Sequence, residues 1–389
     1  MLNRRTFLQS SAAGLMASAM GTRMGFAKVP GNNRFVFVFL RGGLDGLHAL
    51  APFADPRYRQ LRQTLALDAS QVTSLDGYFG LHSAMAGLVP MFQAQELLFV
   101  PAASTRYRSR SHFDGQNLLE NGSGRPYGAQ DGWLNRAIMG LNDGDRRLGL
   151  ALGPTVPLIL QGAAEIQTYA NSPLPEVDDD FLTRLSLMYR QDPLFAQALR
   201  DAQASPNPDM SDMREESPLA RQEFAVSARV AADLLSQESG PRIAAMEMLG
   251  WDTHINQPGR LNRLLRDLAQ GLIALRDGLG SAWGQTVVVV ASEFGRTAAE
   301  NSNRGTDHGT GGLAMLAGGA VAGGRIAGDW PGLSSRALFE RRDLAPLNDC
   351  ESLFKSVLIS HLGLDPGYVE RNVFPDSRTS EPMQGLLRS

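Results

Sequence analysis

The sequence is short of cysteine, of lysine and of long apolar segments. Cys350 is the only cysteine among 389 residues, which excludes an intrachain disulfide and leaves stability to the packed core. Lysine occurs only at Lys28 and Lys355, so nearly all basic side chains are arginines, which can bind an oxyanion through two parallel hydrogen bonds. Beyond residue 27, no apolar run approaches the length that a helix needs to cross a bilayer, so no transmembrane segment is expected there.

The charges of the chain are nearly balanced. There are 40 acidic residues against 37 Lys and Arg, which gives a net charge of −3, and no basic patch of the kind that nucleic-acid binding needs. We therefore expect no nucleic-acid partner. The 43% apolar and 20% charged residues are typical of a globular chain, and 389 residues can form one large domain or two smaller ones.

Residues 1–27 have the features of an export signal. Arg4-Arg5 precedes a stretch of small, mildly apolar residues from 10 to 20, and Gly25-Phe26-Ala27 offers a small-x-small cleavage site. This pattern predicts a twin-arginine signal peptide, and hence a periplasmic or secreted protein. The alternative is a cytosolic amphipathic helix that begins with two arginines. Because the twin-arginine pathway moves folded proteins, export of this kind is compatible with a metal site.

Short apolar runs alternate with helical patterns along residues 28–389. The predicted strands are Arg34–Leu40, Leu97–Ala102, Arg147–Ala151, Pro157–Gln161, Ile243–Leu249, Thr286–Ala291 and Leu313–Ala317. The strongest of them are continuously apolar, as strands covered on both faces are. The alternation predicts a single α/β domain over 28–389, with a mainly parallel sheet and helices on both faces. Residues 163–218 are richer in Asp, Pro, Ser and Met, and we interpret them as an inserted helical cap.

Two acid–histidine pairs follow two of these strands. Asp252 and His254 stand two residues apart after the run that begins at Ile243, and Asp307-His308 comes after the run Thr286–Ala291. A carboxylate and an imidazole at such a position can share one metal ion. The alternative is that the pairs only tie loops together by hydrogen bonds.

Asp45 and Ser111 stand at two further strand ends. Asp45 follows a glycine turn after the first strand, and it is either a metal ligand or a residue that stabilises the turn. Ser111 is at the predicted start of a helix that runs to about Asn121, where free backbone N–H groups suit an anion or a nucleophile. With Asp114 three residues later, Ser111 can equally be an ordinary N-cap.

Glu293 follows the strongest apolar run, so four strand ends carry polar residues. In an open α/β sheet such residues share one crevice outside the carboxyl ends of the strands. Carboxylates and imidazoles without thiolates suit Zn, Mn, Mg or Fe, any of which could polarise an ester. Arg110 and Arg296 are candidates for clamping a phosphate or sulfate group, and His112 fits either metal binding or packing. The histidines that fit packing or helix-end positions are His48, His82 and His361.

Six motifs together resemble a known family. They are the twin-arginine stretch, Arg41-Gly42-Gly43-Leu44-Asp45-Gly46, Ser111-His112-Phe113-Asp114, Gly250-Trp251-Asp252-Thr253-His254, Ser292-Glu293-Phe294-Gly295-Arg296-Thr297 and Gly305-Thr306-Asp307-His308-Gly309-Thr310-Gly311-Gly312. In this combination they are similar to the exported bacterial domain-of-unknown-function family numbered 1501, over nearly the whole chain beyond the signal. That family is grouped by fold with the alkaline phosphatases and sulfatases, and its name records that no activity is established.

The resemblance implies roles for four residues that the strand ends carry. Asp45 matches the acidic metal ligand that follows the first strand of the superfamily. Ser111 matches the nucleophile at a helix cap. Asp252 and His254 resemble the Asp and His that hold one metal, although the superfamily usually spaces them more widely.

The same resemblance reveals a departure from the superfamily pattern. His308 resembles the last metal-binding histidine, with Asp307 as a substitute for a missing ligand. Where the superfamily has Asp-His after the strong strand, this chain has Glu293-Phe294, so a carboxylate is kept and an imidazole is absent. A site with one metal ion, or with altered selectivity, is therefore expected in place of a full two-metal site.

The resulting hypothesis is an exported metal-dependent hydrolase of phosphate or sulfate esters with a partly degenerate metal site. The substrate would be a small-molecule or glycan-borne ester. The expected metal ligands are Asp45, Asp252, His254, Glu293, Asp307 and His308, and the residues expected to act on the ester are Ser111, Arg110 and Arg296. The alternative is a non-catalytic binding or assembly protein of the cell envelope, with a protein partner there, and Phe294 favours it.

Overall fold

A computed structural model of the protein describes residues 32–141, 148–153, 155–170, 224–238, 240–377 and 379–388, with Met188, Tyr189, Asp192 and Ala196 between them. The predicted export signal and most of the predicted cap lie outside these residues. No helix within them combines the length and the apolar character that crossing a membrane requires.

Over these residues the structure contains the following strands and helices. The strands are β1 (Arg34–Leu40), β2 (Leu50–Ala51), β3 (Val72–Ser74), β4 (Gly80–His82), β5 (Leu97–Ser104), β6 (Gly149–Leu152), β7 (Ile166–Tyr169), β8 (Ile243–Met248), β9 (Thr286–Ala291), β10 (Gly312–Ala317), β11 (Arg325–Ile326) and β12 (Asn348–Asp349). The α-helices are α1 (Gly46–Ala49), α2 (Tyr58–Leu61), α3 (Val89–Gln93), α4 (His112–Asn121), α5 (Trp133–Leu141), α6 (Phe224–Ser236), α7 (Gln257–Leu279), α8 (Cys350–Ser356) and α9 (Pro366–Tyr368). Short 3₁₀ turns cover Ala69–Gln71, Ser83–Leu88, Leu158–Leu160 and Gly280–Gln285, and π-helical turns extend α8 and α9 over Val357–His361 and Val369–Val373.

The main sheet has nine strands, in the order β11-β5-β10-β9-β1-β8-β6-β7, with β12 also paired to β5. The strands β9, β1, β8, β6 and β7 run parallel to one another. In contrast, β10 runs antiparallel to both of its neighbours, β9 and β5. The carboxyl ends of β5, β9, β1 and β8 therefore lie along one edge of the sheet, together with the amino end of β10. The predicted mainly parallel sheet is confirmed.

Different helices cover the two faces of this sheet. The even-numbered residues of β1, from Val36 to Leu40, pack on one face in a cluster with α6 and α7. The odd-numbered residues, from Phe35 to Phe39, pack on the other face with α5 and α8. Every residue of β1 is buried, because successive side chains of a strand point to opposite faces and both faces are covered. Helices on both faces, as predicted, hold this strand at the centre of the domain.

Two segments differ from the prediction. The segment Pro157–Gln161, predicted as a strand, contains a 3₁₀ turn, because the amide group of Asn135 on α5 bonds to the carbonyl oxygens of Leu160 (2.8 Å) and Ala164 (3.0 Å) in place of a neighbouring strand. Within the predicted cap, 163–218, Ile166–Tyr169 forms β7 and pairs in parallel with β6 at the edge of the sheet. Any inserted cap therefore begins after this strand.

Candidate metal site

Three histidines from distant parts of the chain meet at the carboxyl edge of the sheet. His112 is the first residue of α4, which follows β5, whereas His254 lies in the loop after β8 and His308 in the loop before β10. The Nε2 atom of His308 lies 2.9 Å from Nε2 of His112 and 2.9 Å from Nε2 of His254. Oδ1 of Asp252 joins them, at 2.9 Å from His254 Nε2, 3.2 Å from His308 Nε2 and 3.4 Å from His112 Nε2.

The other ring nitrogen of each histidine faces an acceptor. The acceptors of the three Nδ1 atoms are Oε1 of Glu293 for His112 (2.7 Å), Oδ1 of Asp307 for His254 (3.2 Å) and the carbonyl oxygen of Arg110 for His308 (2.9 Å). Such an acceptor is satisfied only when Nδ1 carries the hydrogen, so we place the lone pair of each neutral ring on Nε2. Three lone pairs and a carboxylate oxygen then point into one small region, where a bound cation would offset their mutual repulsion.

His112, Asp252 and His308 suit a divalent metal ion in both distance and chemistry. One donor atom from each of the three lies within 4.8 Å of the other two. Zinc binds nitrogen and oxygen at about 2.0–2.2 Å, so the donors around one ion stand roughly 3.3 Å apart, close to the spacing here. His254 adjoins this group through Asp252 and His308. The sequence predicts Zn, Mn, Mg or Fe from the same carboxylates and imidazoles, and no thiolate stands among these donors.

Glu293 contacts Nδ1 of His112, on the side of the ring away from the donor group, and is not itself a member of that group. Besides the His112 ring, its Oε1 accepts hydrogen bonds from the amide of Gly42 (2.9 Å) and Nε2 of Gln116 (3.0 Å). Oε2 accepts from Oγ of Ser292 at 2.9 Å. Burial raises the pKa of the Glu293 carboxyl, but these hydrogen bonds outweigh it and hold the pKa below its usual value. Carboxylates in this position fix the orientation of metal-binding imidazoles.

The same contact changes the electrostatics of the His112 ring. Burial lowers the pKa of His112, but the hydrogen bond and charge of Glu293 together with those of Asp252 outweigh it, so its pKa lies above the usual value. Burial and the nearby charges of His112 and Arg296 lower the pKa of His308. The two facing imidazoles therefore differ in basicity because only one of them contacts a buried carboxylate.

Asp307 holds the ring of His254 through its Nδ1 atom, as Glu293 holds the ring of His112. Its Oδ1 also accepts a hydrogen bond from Nδ2 of Asn301 at 3.1 Å, and the same Nδ2 donates to the carbonyl oxygen of His254 at 3.0 Å. Burial raises the pKa of the Asp307 carboxyl, but the hydrogen bonds from Asn301 and His254 together outweigh burial. The pKa of Asp307 therefore lies below its usual value. The structure thus places Asp307 as a support of the His254 ring.

Arg296 lies under the site with its side chain fully buried. Its Nε donates to the carbonyl of Gly43 (2.8 Å), Nη1 to the carbonyl of Thr306 (3.1 Å) and Nη2 to the carbonyl of Gly42 (2.7 Å). Nη2 also donates to Oδ1 of Asp252. Burial raises the pKa of Asp252, but the charge and hydrogen bond of Arg296, together with the charges of His254 and His112, outweigh it and the pKa falls to about 2. Since every guanidinium nitrogen has a partner, Arg296 positions the loops and is not free to clamp a substrate.

Asp45 is held apart from the donor group by Arg62. Its two carboxylate oxygens accept from Nη1 and Nη2 of Arg62 at 2.7 and 2.9 Å, and Oδ2 also accepts from Nε2 of Gln257 at 2.6 Å. The side chains of Asp45 and Arg62 are both buried. Burial raises the pKa of Asp45, but Arg62 outweighs this and holds the pKa below its usual value. The structure therefore shows Asp45 in an internal ion pair.

Ser111 stands next to the donor group through its position in the chain. It is the N-cap residue of α4, one residue before His112, and its hydroxyl makes no capping hydrogen bond. Its backbone amide donates to the hydroxyl of Tyr107 at 3.2 Å. The Ser111 hydroxyl is therefore not committed to the cap.

The side chain of Arg110 is used elsewhere. Its Nε donates to Oδ2 of Asp343 at 2.7 Å, and its Nη2 donates to Glu340. Only the backbone of Arg110 reaches the site, through the carbonyl that bonds to His308. Arg110 and Arg296, the two anion clamps expected from the sequence, are thus both engaged in ion pairs.

Phe294 forms a platform under two of the imidazoles. Its ring centroid lies 4.8 Å from that of His112 and 5.3 Å from that of His308. Two glycines make room for it, since a Cβ atom at Gly43 would lie 3.0 Å from the ring and one at Gly115 would lie 3.1 Å from it. The phenyl ring therefore packs directly against two imidazoles of the donor group.

The sequence pattern did not indicate some of the residues that shape the site. Arg62, which directly follows α2, and Gln257, the first residue of α7, both hold Asp45, and no role at the site was assigned to either from the sequence. For His112 the sequence allows either metal binding or packing, and its place as the first residue of a helix after a strand is the signal for metal binding. His48, His82 and His361 are buried outside the donor group, in agreement with packing positions.

Comparisons with known proteins concern the family and the fold. The profile of the family described as "Protein of unknown function (DUF1501)" matches residues 32–373. No curated protein matches the sequence.

Solved structures similar to this chain include Ps i-CgsB in complex with k-i-k-neocarrahexaose, at 10% identity and a TM-score of 0.44, covering 90% of this chain and 77% of that one. The phosphonate monoester hydrolase of Agrobacterium radiobacter is similar at 12% identity and a TM-score of 0.36, covering 85% and 74%. The alkaline phosphatase of the Antarctic bacterium TAB5 is similar at 12% identity and a TM-score of 0.34, covering 75% and 93%. Likenesses of this size bear on neither activity nor substrate.

Proposed function

We propose that this chain, which belongs to the DUF1501 family, is a metal-dependent hydrolase of phosphate or sulfate esters. The observation that carries the proposal is the inward arrangement of His112, His254 and His308. The outer nitrogen of each ring faces an acceptor, and the inner nitrogens converge with Asp252 Oδ1. Loops that needed only mutual hydrogen bonds would not require four electron-pair donors to face one another.

In the proposed enzyme, some residues of the site would bind the metal ion and others would orient the metal-binding rings. His112, Asp252 and His308 would hold the ion, while Glu293 and the Arg110 carbonyl keep two of the rings in orientation. A divalent ion held there would act as a Lewis acid on an ester oxygen and make water or a hydroxyl group more acidic.

Ser111 would be the nucleophile of this reaction. Its hydroxyl is not used in capping α4, and it precedes His112 directly in the chain. Its oxygen would bond to the phosphorus or sulfur atom of a small-molecule or glycan-borne ester as the bond to the alcohol breaks, with the serine proton passing to the departing alcohol. Water would then displace the group from Ser111 and restore the hydroxyl.

Elemental analysis of purified protein tests the metal half of the proposal. We expect about one equivalent of a divalent ion in the wild-type chain and its loss in Asp252→Asn and in His308→Ala, which each remove one donor. Asp277→Asn is the matched control, because this exposed carboxylate at the end of α7 pairs with Arg276 and should not affect metal content. Metal-free protein of normal stability would overturn the hydrolase proposal.

The same preparations test the hydrolytic half with aryl phosphates and aryl sulfates. Turnover should disappear in Ser111→Ala with the metal content unchanged, whereas Ser109→Ala, two residues earlier and exposed, should keep its activity. Bound metal without turnover of any ester would favour a binding role over catalysis.

The second candidate is a non-catalytic binding or assembly protein of the cell envelope. The contact between Arg296 and Asp252 favours it, because a buried guanidinium already supplies positive charge to the carboxylate of the donor group. Under this alternative, the wild-type protein hydrolyses no ester, with or without a bound ion, and binds a protein partner at the envelope. The elemental analysis and the ester assays above together separate the two candidates.

We also propose that the chain is exported by the twin-arginine pathway to the periplasm or beyond. Arg4-Arg5, the small apolar stretch after it and Gly25-Phe26-Ala27 support this proposal. Replacing both arginines by lysine should leave the full chain in the cytoplasmic fraction. Unchanged export of that variant would contradict the assignment.

A further inference from the structure

We infer that Arg342 binds the charge of the substrate and that the substrate is a monoanionic tetrahedral ester, either a sulfate ester or a phosphodiester. The inference rests on the proposed function and narrows it from phosphate and sulfate esters in general to those with a single negative charge. It follows from where the arginines of the site donate their hydrogen bonds and from the charges of the donor group.

Arg342 is attached to the site by one nitrogen only. Its Nη1 donates to the carbonyl oxygen of His308 at 3.0 Å and to Oδ1 of Asp343 at 2.9 Å. Its side chain is 43% exposed. Within the described part of the chain, its Nε and Nη2 have no hydrogen-bond partner. These two nitrogens could donate two parallel hydrogen bonds to an oxyanion beside His308.

Three other arginines around the site, Arg296, Arg110 and Arg41, already donate from their guanidinium groups to protein acceptors. Arg296 and Arg110 donate to carbonyl and carboxylate groups as described above. Arg41, which follows β1, donates from Nε to Glu247, from Nη1 to Gln116 and from Nη2 to Glu120. Arg342 thus differs from these three arginines. Its guanidinium contacts the backbone carbonyl of His308 and keeps two nitrogens available as donors.

The charges of the donor group set how much negative charge a substrate can bring. Asp252, Glu293 and Asp307 contribute three negative charges, and the buried Arg296 contributes one positive charge. A divalent ion would neutralise the remainder. The Asp343 carboxylate that pairs with Arg342 is also paired with Arg110, so the guanidinium of Arg342 can balance at most one further negative charge. A second one would face the half-exposed carboxylate of Asp307 without compensation.

This charge balance distinguishes between classes of ester. Sulfate esters and phosphodiesters carry one negative charge, whereas a phosphate monoester carries two above its second pKa of about 6. Hydrolysis of either monoanion breaks the bond from sulfur or phosphorus to the bridging oxygen. Water supplies oxygen to the central atom and a proton to the departing alcohol.

Kinetics with three substrates that share a nitrophenol leaving group test the inference. At a pH above 7, an aryl sulfate and a methyl aryl phosphodiester should have higher kcat/KM than the aryl phosphate monoester. Arg342→Gln should raise KM for whichever monoanion is hydrolysed on the order of 10- to 100-fold, the usual worth of hydrogen bonds to a charged group. Arg342→Lys keeps the positive charge but loses the two parallel N–H donors. Its KM should therefore lie between those of the wild type and Arg342→Gln.

The matched control is Arg304→Gln. Arg304 is exposed in the loop between β9 and β10, which also carries the His308 carbonyl that Arg342 contacts, so this variant removes a like charge near the same histidine. An equal effect of Arg304→Gln would mean that only general electrostatics are involved and would overturn the assignment to Arg342. So would faster hydrolysis of the monoester, or an unchanged KM in Arg342→Gln.

Binding of unreactive anions separates failure of this inference from failure of the proposed function. Benzenesulfonate and phenylphosphonate resemble the two charge classes, and calorimetry on the metal-loaded protein measures their affinities without turnover. We expect tighter binding of benzenesulfonate, weakened in Arg342→Gln and retained in Arg304→Gln. That result without hydrolysis of any ester would refute the hydrolase and keep the anion site. Preference for the phosphonate would refute the inference even in an active enzyme.

Discussion

Replacing Arg62 by leucine should destabilise the protein by about 3–5 kcal/mol, because it leaves the Asp45 carboxylate buried without its cation. The guanidinium also donates from Nε to the carbonyl of Ala298 and from Nη2 to the carbonyl of Thr297, both at 3.0 Å. These carbonyls would lose their donors as well. Chemical denaturation of the variant and the wild-type chain measures the difference in the free energy of unfolding.

Arg59→Leu provides a control of the same chemical change three positions earlier. Arg59 pairs with Asp68 at 3.3 Å, and both side chains are more than 60% exposed, so its loss should cost less than about 1 kcal/mol. Similar losses in the two variants would contradict a special role for the Asp45–Arg62 pair.

The pair also provides a test of the role of Asp45. If Asp45 serves the ion pair, Arg62→Leu should keep its metal content once folded, and Asp45→Asn should lose stability but not metal. If Asp45→Asn instead loses the ion at full stability, Asp45 is a ligand, as the family resemblance implies, and the ion pair must open when metal binds.

Replacing Phe294 by alanine should cost about 3–5 kcal/mol of stability and should also weaken metal binding. The ring is buried and lies in a space that Gly43 and Gly115 leave for it, so its loss creates a cavity under His112 and His308. The two imidazoles would lose the surface that restricts their orientation. Denaturation and metal titration of the variant measure the two effects.

Phe99→Ala separates the two effects. Phe99 is equally buried but lies in β5, in the core on one face of the sheet, so its loss should reduce stability by a similar amount without weakening metal binding. If both variants bind metal as the wild type does, Phe294 only fills space. In that case Phe294 would again count against a working site, as the sequence alone suggests.

Much of the fold was predictable because buried parallel strands are continuously apolar. The runs predicted at Arg34–Leu40 and Thr286–Ala291 have the same bounds as β1 and β9, and the predicted start of β8 at Ile243 is also correct. The antiparallel direction of β10 was not predictable, because a run of apolar residues has no directional signal. Because β10 is antiparallel to β9, its amino end lies at the same edge of the sheet as the carboxyl end of β9. The loop with Asp307 and His308, which precedes β10, therefore lies at the same edge as Glu293, which follows β9.

The roles of individual carboxylates were harder to predict than their convergence. Whether a carboxylate binds a metal or supports a neighbour depends on which cation or donor stands opposite it. For Asp45 that partner is Arg62, and for Glu293 it is the ring of His112. Neither partner belongs to a local pattern around the acid, since the fold alone brings them together.

The wide separation of His112, Asp252 and His308 along the chain has a thermodynamic consequence. An unfolded chain offers no local chelate from these residues, so an ion would bind the native state almost exclusively. Free ion at a hundred times its dissociation constant would then raise the free energy of unfolding by about 2.7 kcal/mol. The concentration of free metal would thus determine the fraction of the protein that is folded. This effect would need no additional contacts within the protein.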